Sequence, residues 1–220
     1  MSAKNVKRIL TVALALALGL VMLCLAGCGT PPKVPPSGFL SNYDALAPDP
    51  DVDGLYWWEK KGVRWQNYRA LLIDEVQVRI APKAQRQLEE GEAKQMAAKL
   101  RSMVIKALKG NFPLATRPAP GVLRLRAALV HLKPVQPAVN VVSSALLMVP
   151  LDVGEAAVEA QFSDSVSNRV QGELLISNQG SISQLTKVWT RWDQVEEAFA
   201  QWAVLLRRAM MQGRPAPSEQ

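Results

Sequence analysis

Histidine occurs once in this 220-residue chain and cysteine twice. A structural zinc site draws on several His or Cys ligands, and none can be assembled from His131 with Cys24 and Cys28. No Gly-x-Ser-x-Gly elbow is present, so a Ser-His-Asp triad on His131 lacks its nucleophile signature. A hydrolase using His131 is therefore the least supported reading; near a strand end, it reads as a structural or surface histidine. A phosphate-cradling glycine loop is also missing, as is a basic-aromatic nucleic-acid motif. Glu89, Glu90 and Glu92 gather at a helix start, where the dipole favours acids as a solvated face. Asp74 and Glu75 are strand neighbours and point to opposite faces. No catalytic residue, metal ligand or cofactor is nominated, and the chain reads as a non-enzyme.

The longest apolar run is residues 9–25, after a basic start at Lys4, Lys7 and Arg8. Small residues lead from it into Cys28, the order of a cleavable export signal. The run approaches the ~20 residues of a membrane span. However, Gly27, Cys28, Gly29, Pro31 and Pro32 follow at once, without a basic stop-transfer cluster. Leu25-Ala26-Gly27-Cys28 resembles the lipobox of bacterial lipoproteins. That resemblance implies cleavage before Cys28, diacylglycerol on its sulfur and a further acyl chain (commonly palmitate) on the new amine. One chain holds weakly, at ~0.8 kcal/mol per buried methylene, whereas two or three anchor stably. Gly29, rather than Asp, follows Cys28. By the sorting rule of Gram-negative lipoproteins, this implies the periplasmic face of the outer membrane.

Cleavage there leaves residues 28–220, enough for one domain with a real core. Losing Lys4, Lys7 and Arg8 lowers the formal charge from +7 to +4. A modest positive balance suits anionic headgroups or cell-wall carboxylates. With Cys24 removed and Cys28 acylated, no disulfide can form, and the fold must stand on packing.

The expected plan is a cleaved signal over 1–27, an acylated Pro-rich tether over 28–37, one domain over 38–212 and a disordered tail over 213–220. Residues 30–37 favour an extended polyproline conformation, at ~3.1 Å per residue. Tyr56, Trp57, Trp58, Trp65 and Tyr68 crowd one region. They read either as pins for an N-terminal arm or as an interaction patch. Alternation predicts strands over 68–80, 122–133, 154–164 and 169–177. In the third, Ala156, Val158, Ala160 and Phe162 share one face; Glu155, Glu159, Gln161 and Ser163 share the other. Pro82 opens a helix carried by Leu88, Met96, Leu100, Met103, Val104 and Leu108, and Gly110-Asn111 ends it. Thr190 with Asp193 marks the start of a last helix striped by Trp192, Val195, Phe199, Trp202, Leu206 and Met210. Between the second and third strands, residues 137–151 hold Val142, Leu146 and Leu147. That stretch is too short to span a bilayer. It reads as a core cover or as an apolar surface for a partner or the membrane.

Several segments together resemble the bacterial lipoproteins grouped as domain of unknown function 3313. They are Ser37-Gly38-Phe39-Leu40 with Tyr43, Val122-Leu123-Arg124-Leu125-Arg126, residues 154–160, Asp164-Ser165, and Ala198-Phe199 with Trp202-Ala203. The pattern leads one to expect an acid where Asn42 stands and a glycine where Asn168 stands. The family implies a location and a domain plan and carries no catalytic residues across. The predicted fold is α+β, a mixed or antiparallel sheet of about four strands with two amphipathic helices on one face. The predicted role is non-enzymatic, as a binding or adaptor lipoprotein with an envelope protein partner. The alternative is a lipid- or peptidoglycan-binding module, with Val142, Leu146, Leu147, Tyr56, Trp57 and Trp58 as the candidate surface.

Overall fold

The computed structural model describes residues 34–135, 154–179 and 191–212. Leu25, Ala26, Gly27, Cys28, Val142, Leu146, Leu147, Thr190 and the tail from 213 lie outside the described residues. Numbered in chain order, the strands are β1 (Ala47–Pro48), β2 (Leu55–Glu59), β3 (Ala70–Ile73), β4 (Gln77–Val78), β5 (Leu114–Ala115), β6 (Val122–Lys133), β7 (Glu155–Asp164) and β8 (Val170–Gln179). The helices are α1 (Pro82–Gln85), α2 (Glu92–Leu108) and α3 (Asp193–Gln212).

All eight strands form one mixed sheet in the order β1-β2-β8-β7-β6-β3-β5, with β4 also paired to β6. From β1 to β6 the pairing is antiparallel; β3 and β4 run parallel to β6. Parallel neighbours need a crossover, and α1 and α2 lie within it. The expected four strands and two helices are thereby corrected to eight strands and three helices among the described residues, still in one α+β domain. The physical reason is length. β1, β4 and β5 are two residues each, too short for alternation to register. The predicted strand over 68–80 breaks into β3 and β4. The predicted helix from Pro82 breaks at Gly91, whose φ of +83° is left-handed.

Alternation along β6, β7 and β8 gives the sheet two different faces. One carries Leu125, Leu129, Val158, Phe162 and Ile176 against α2 and α3. The other carries Ala128, Val130, Ala157 and Leu175 against an arm led by Phe39 and Leu40. A bulge between Leu129 and His131 keeps Leu132 on the helix side. The β7–β8 turn is tied by Asp164, whose Oδ1 accepts from the N–H groups of Val166 (3.2 Å) and Ser167 (2.8 Å). Asn168 sits there at φ 55°, the conformation for which a glycine is expected.

Candidate functional site

Among the described residues, the helix-facing side of the sheet is not filled. Its large side chains are interrupted by a rung of two alanines, Ala127 paired with Ala160. The rungs on either side are Leu125–Phe162 and Leu129–Val158. Above the small pair, α2 contributes Leu100 and Val104, and α3 contributes Trp202, Leu205 and Leu206. The space left between is a cavity of about 420 Å³, walled almost wholly by apolar side chains. Ala127 lies on a central strand yet is not fully buried; it lines this space.

An aromatic group closes one side. Trp57 on β2 packs against Phe162 at 5.7 Å between centroids and against Trp65 at 5.9 Å. Trp65 meets Phe162 edge-on at 6.3 Å and Tyr68 at 6.4 Å. The position of Trp57 depends on Gly172, where a Cβ would stand 2.8 Å from the indole. Trp65 is oriented by its indole N–H, which donates to Glu59 Oε2 at 2.8 Å. Burial, and then the nearby Asp164 carboxylate, push the Tyr68 hydroxyl above its ordinary pKa, so it stays neutral.

Four polar residues reach the cavity: Asp49, Asp74, Arg101 and Gln212. Arg124 holds the Asp74 carboxylate, with Nη2 at 2.7 Å and Nε at 3.0 Å. Arg101 on α2 donates to the carbonyls of Asp74 (Nε, 3.1 Å) and Ile73 (Nη2, 3.2 Å). The roof is braced where α3 begins. Glu92 accepts from Arg191 Nε at 3.0 Å and Trp192 Nε1 at 3.1 Å, and a Lys99–Glu196 ion pair joins α2 to α3. Burial pushes the Glu92 carboxyl up, but the Glu89 N–H, Arg191 and Trp192 together hold it below its ordinary value.

A second constellation lies on the opposite face. Glu159 and Glu173 are both 0% exposed. Glu159 Oε2 accepts from Ser37 Oγ at 2.6 Å and Tyr43 Oη at 2.7 Å. Glu173 accepts from Ser41 N and Gln161 Nε2, both at 2.8 Å, and from Asn42 N and Nδ2 at 2.9 and 3.0 Å. Burial pushes the Glu173 carboxyl up; Gln161, Ser41 and Asn42 outweigh it and hold the group below its ordinary value. Sealed and fully engaged, the two carboxylates offer no reachable acid or base. They latch the arm to the sheet, and Phe39 beside them lies under the guanidiniums of Arg79 (5.4 Å) and Arg126 (5.5 Å).

The structure separates the aromatic candidates. Trp57 lines the cavity, while Tyr56 packs with Phe39 and Leu40 on the arm face. Trp58 alternates to the same side as Tyr56. Trp65 and Tyr68 join Trp57. His131 Nε2 lies 3.2 Å from Glu155 Oε2 at the far end of β6 and is not part of the cavity. Sequence reasoning missed both the cavity and the latch. The available signals were the Ala127, Ala160 and Gly172 gaps in otherwise bulky strands, and acids facing the Ser37–Tyr43 motif.

The family model described as "Protein of unknown function (DUF3313)" matches residues 35–206. The chain belongs to this family. No curated protein matches the sequence. Among solved structures, this DUF3313 chain is similar to a PelC dodecamer from Paraburkholderia phytofirmans at 9% identity and TM-score 0.44, covering 71% of this chain and 97% of that one. It is also similar to protein XCC0632 from Xanthomonas campestris at 13% identity and TM-score 0.43, covering 66% and 85%. A putative neuraminyllactose-binding hemagglutinin homolog from Helicobacter pylori matches at 13% identity and TM-score 0.37, covering 67% and 83%.

Proposed function

We propose that this DUF3313 protein is a non-enzymatic binding protein of the bacterial cell envelope. It is held by lipid at Cys28 on the periplasmic face of the outer membrane and takes an apolar ligand between sheet and helices. The anchor is supported by Leu25-Ala26-Gly27-Cys28 after a basic, then apolar, segment. Among the described residues, no helix is long and apolar enough to cross a membrane.

The observation that carries the binding role is the 420 Å³ apolar cavity. Protein interiors leave few voids larger than a water molecule. Small-molecule sites measure roughly 300–1,000 Å³, with apolar walls and a few placed polar groups. This cavity has that size and that lining.

The test is energy transfer from tryptophan to N-phenyl-1-naphthylamine in the full chain, reconstituted in phosphatidylcholine vesicles. Trp57, Trp65 and Trp202 lie at or beside the space, so a bound probe is excited through them. Ala160→Leu places three more carbons in the cavity. The expected result is saturable transfer in the parent and its loss in Ala160→Leu, with the thermal midpoint unchanged or raised. Equal transfer in both chains at equal folding would refute the reading.

A further inference from the structure

We propose that the cavity takes the single hydrocarbon chain of an anionic amphiphile, with the carboxylate or phosphate at Arg101 and the tail running under α3 toward Leu55. This rests on the apolar-ligand reading above and gives it a chemical class and a direction.

Size comes first. A dry cavity of ~150 Å³ holds one benzene. By that yardstick, the 420 Å³ here has room for roughly seventeen carbons. Shape comes second. The walls draw on five consecutive strands of the sheet, from Leu55 on β2 through β8, β7 and β6 to Ile73 on β3. Neighbouring strands lie ~4.8 Å apart, so the space runs roughly 19 Å across the sheet. Spread over that length, 420 Å³ leaves a mean section of roughly 22 Å². That is the width of one extended hydrocarbon chain.

Charge sets the direction. At the β3 end, Asp74 is already held by Arg124 through Nε and Nη2. Arg101 spends Nε and one Nη2 proton on the carbonyls of Asp74 and Ile73. A guanidinium carries five donors; among the described residues no hydrogen bond takes the other three, two on Nη1 and one on Nη2, of this cavity-lining side chain. At the β2 end stands Asp49, fixed by its own loop through the N–H groups of Asp51 and Val52 on Oδ1. An anionic group is repelled there and attracted at Arg101.

The experiment uses the full chain in phosphatidylcholine vesicles, with three diazirine-bearing single-chain probes of equal chain length: palmitate, a lysophosphatidic acid and hexadecanol. Photolabelled peptides are mapped by mass spectrometry. The expected result is labelling of the β7 and α3 cavity segments by palmitate, lysophosphatidic acid or both, at least about tenfold above hexadecanol, the factor one charge-assisted hydrogen bond carries. Which anionic probe labels identifies the source, free fatty acid or lipid headgroup. Arg101→Gln should remove that preference while leaving hexadecanol labelling unchanged, and Arg101→Lys should keep it. The hexadecanol arm reports folding, because it does not use the charge.

Equal labelling by hexadecanol and the anionic probes, or an anionic preference that survives Arg101→Gln, would overturn the headgroup assignment and leave the apolar-ligand reading standing. Cavity labelling by none of the probes, together with no energy transfer to the naphthylamine, would overturn both.

Discussion

Replacing Glu173 by glutamine keeps the volume of the side chain and removes half of its accepting capacity. Each carboxylate oxygen takes two donors: Ser41 N and Gln161 Nε2 on Oε1, and Asn42 N and Nδ2 on Oε2. A glutamine supplies one oxygen, and its amide turns protons toward two groups that also donate. Two buried donors are orphaned whichever way the amide is placed. An unsatisfied buried donor costs ~1–3 kcal/mol, so Glu173→Gln should lose about 3–4 kcal/mol. Urea unfolding at pH 7 measures this as a drop in midpoint at unchanged slope. Hydrogen exchange should show the Ser41 and Asn42 amides released first, because they belong to the arm. The pH dependence has a definite sign. The folded Glu173 carboxyl lies below its ordinary value, so its charge contributes stability above the unfolded pKa of ~4.3, and that contribution is lost as pH falls through the folded value. The gap between parent and variant should therefore narrow in acid. A variant within about 1 kcal/mol of the parent at pH 7, with arm amides equally protected, would refute the latch, since one ordinary hydrogen bond is worth that much.

Two further outcomes are expected. Gly172→Ala puts a methyl 2.8 Å from the Trp57 ring and 3.1 Å from the Trp58 carbonyl, so the indole must shift; overpacking of this kind costs ~1–3 kcal/mol, read as a lower thermal midpoint with red-shifted tryptophan emission. Cys28→Ala should abolish incorporation of labelled palmitate in cells and leave the precursor uncleaved; continued labelling would remove the anchor from the proposal.

The long strands are legible because each repeats its pattern for ten residues or more. β6 and β7 carry enough alternation to reveal both faces, and the predicted boundaries of β6 agree with the structure. β1, β4 and β5 are different in kind. Two residues carry no period, and such strands exist because a neighbour's backbone offers free partners, which is a tertiary fact. β2 was visible only as a run of aromatics, Tyr56-Trp57-Trp58. Its strand character comes from pairing with β8 and its division from the pleat, which sends Trp57 to the helices and Tyr56 to the arm. The latch is not legible because alternation assigns a residue to a face without saying what covers that face. Glu155, Glu159 and Gln161 read as an outward polar face; Glu155 remains half-exposed, but residues 37–43 fold back and bury Glu159. The Ser37-Gly38-Phe39-Leu40 motif with Tyr43 is legible as a family mark, and its use is tertiary. Its hydroxyls and backbone N–H groups satisfy acids more than 100 residues away. Asn42 has a similar logic: its amide donates to Glu173 at 3.0 Å, where an ionised acid would set two carboxylates together.

The two faces of the sheet are linked energetically. The space is a partly open cleft: Ala127 on its floor and Trp57, Trp65, Trp202, Leu205 and Leu206 on its walls all stay partly exposed. Unoccupied, it keeps apolar surface in water, and covering such surface is worth ~25 cal/mol per Å². Collapse of α2 and α3 onto the alanine rung is opposed by their braces, with Glu92 gripping Arg191 and Trp192 and Lys99 paired with Glu196. The remaining way to lower the energy is an apolar occupant. On this reasoning the latch on the far face has a second role, for it stabilises the sheet through contacts that do not depend on the cavity being filled. The sheet can then persist while the occupant exchanges, and binding raises stability by mass action in proportion to how tightly the folded chain alone holds the ligand.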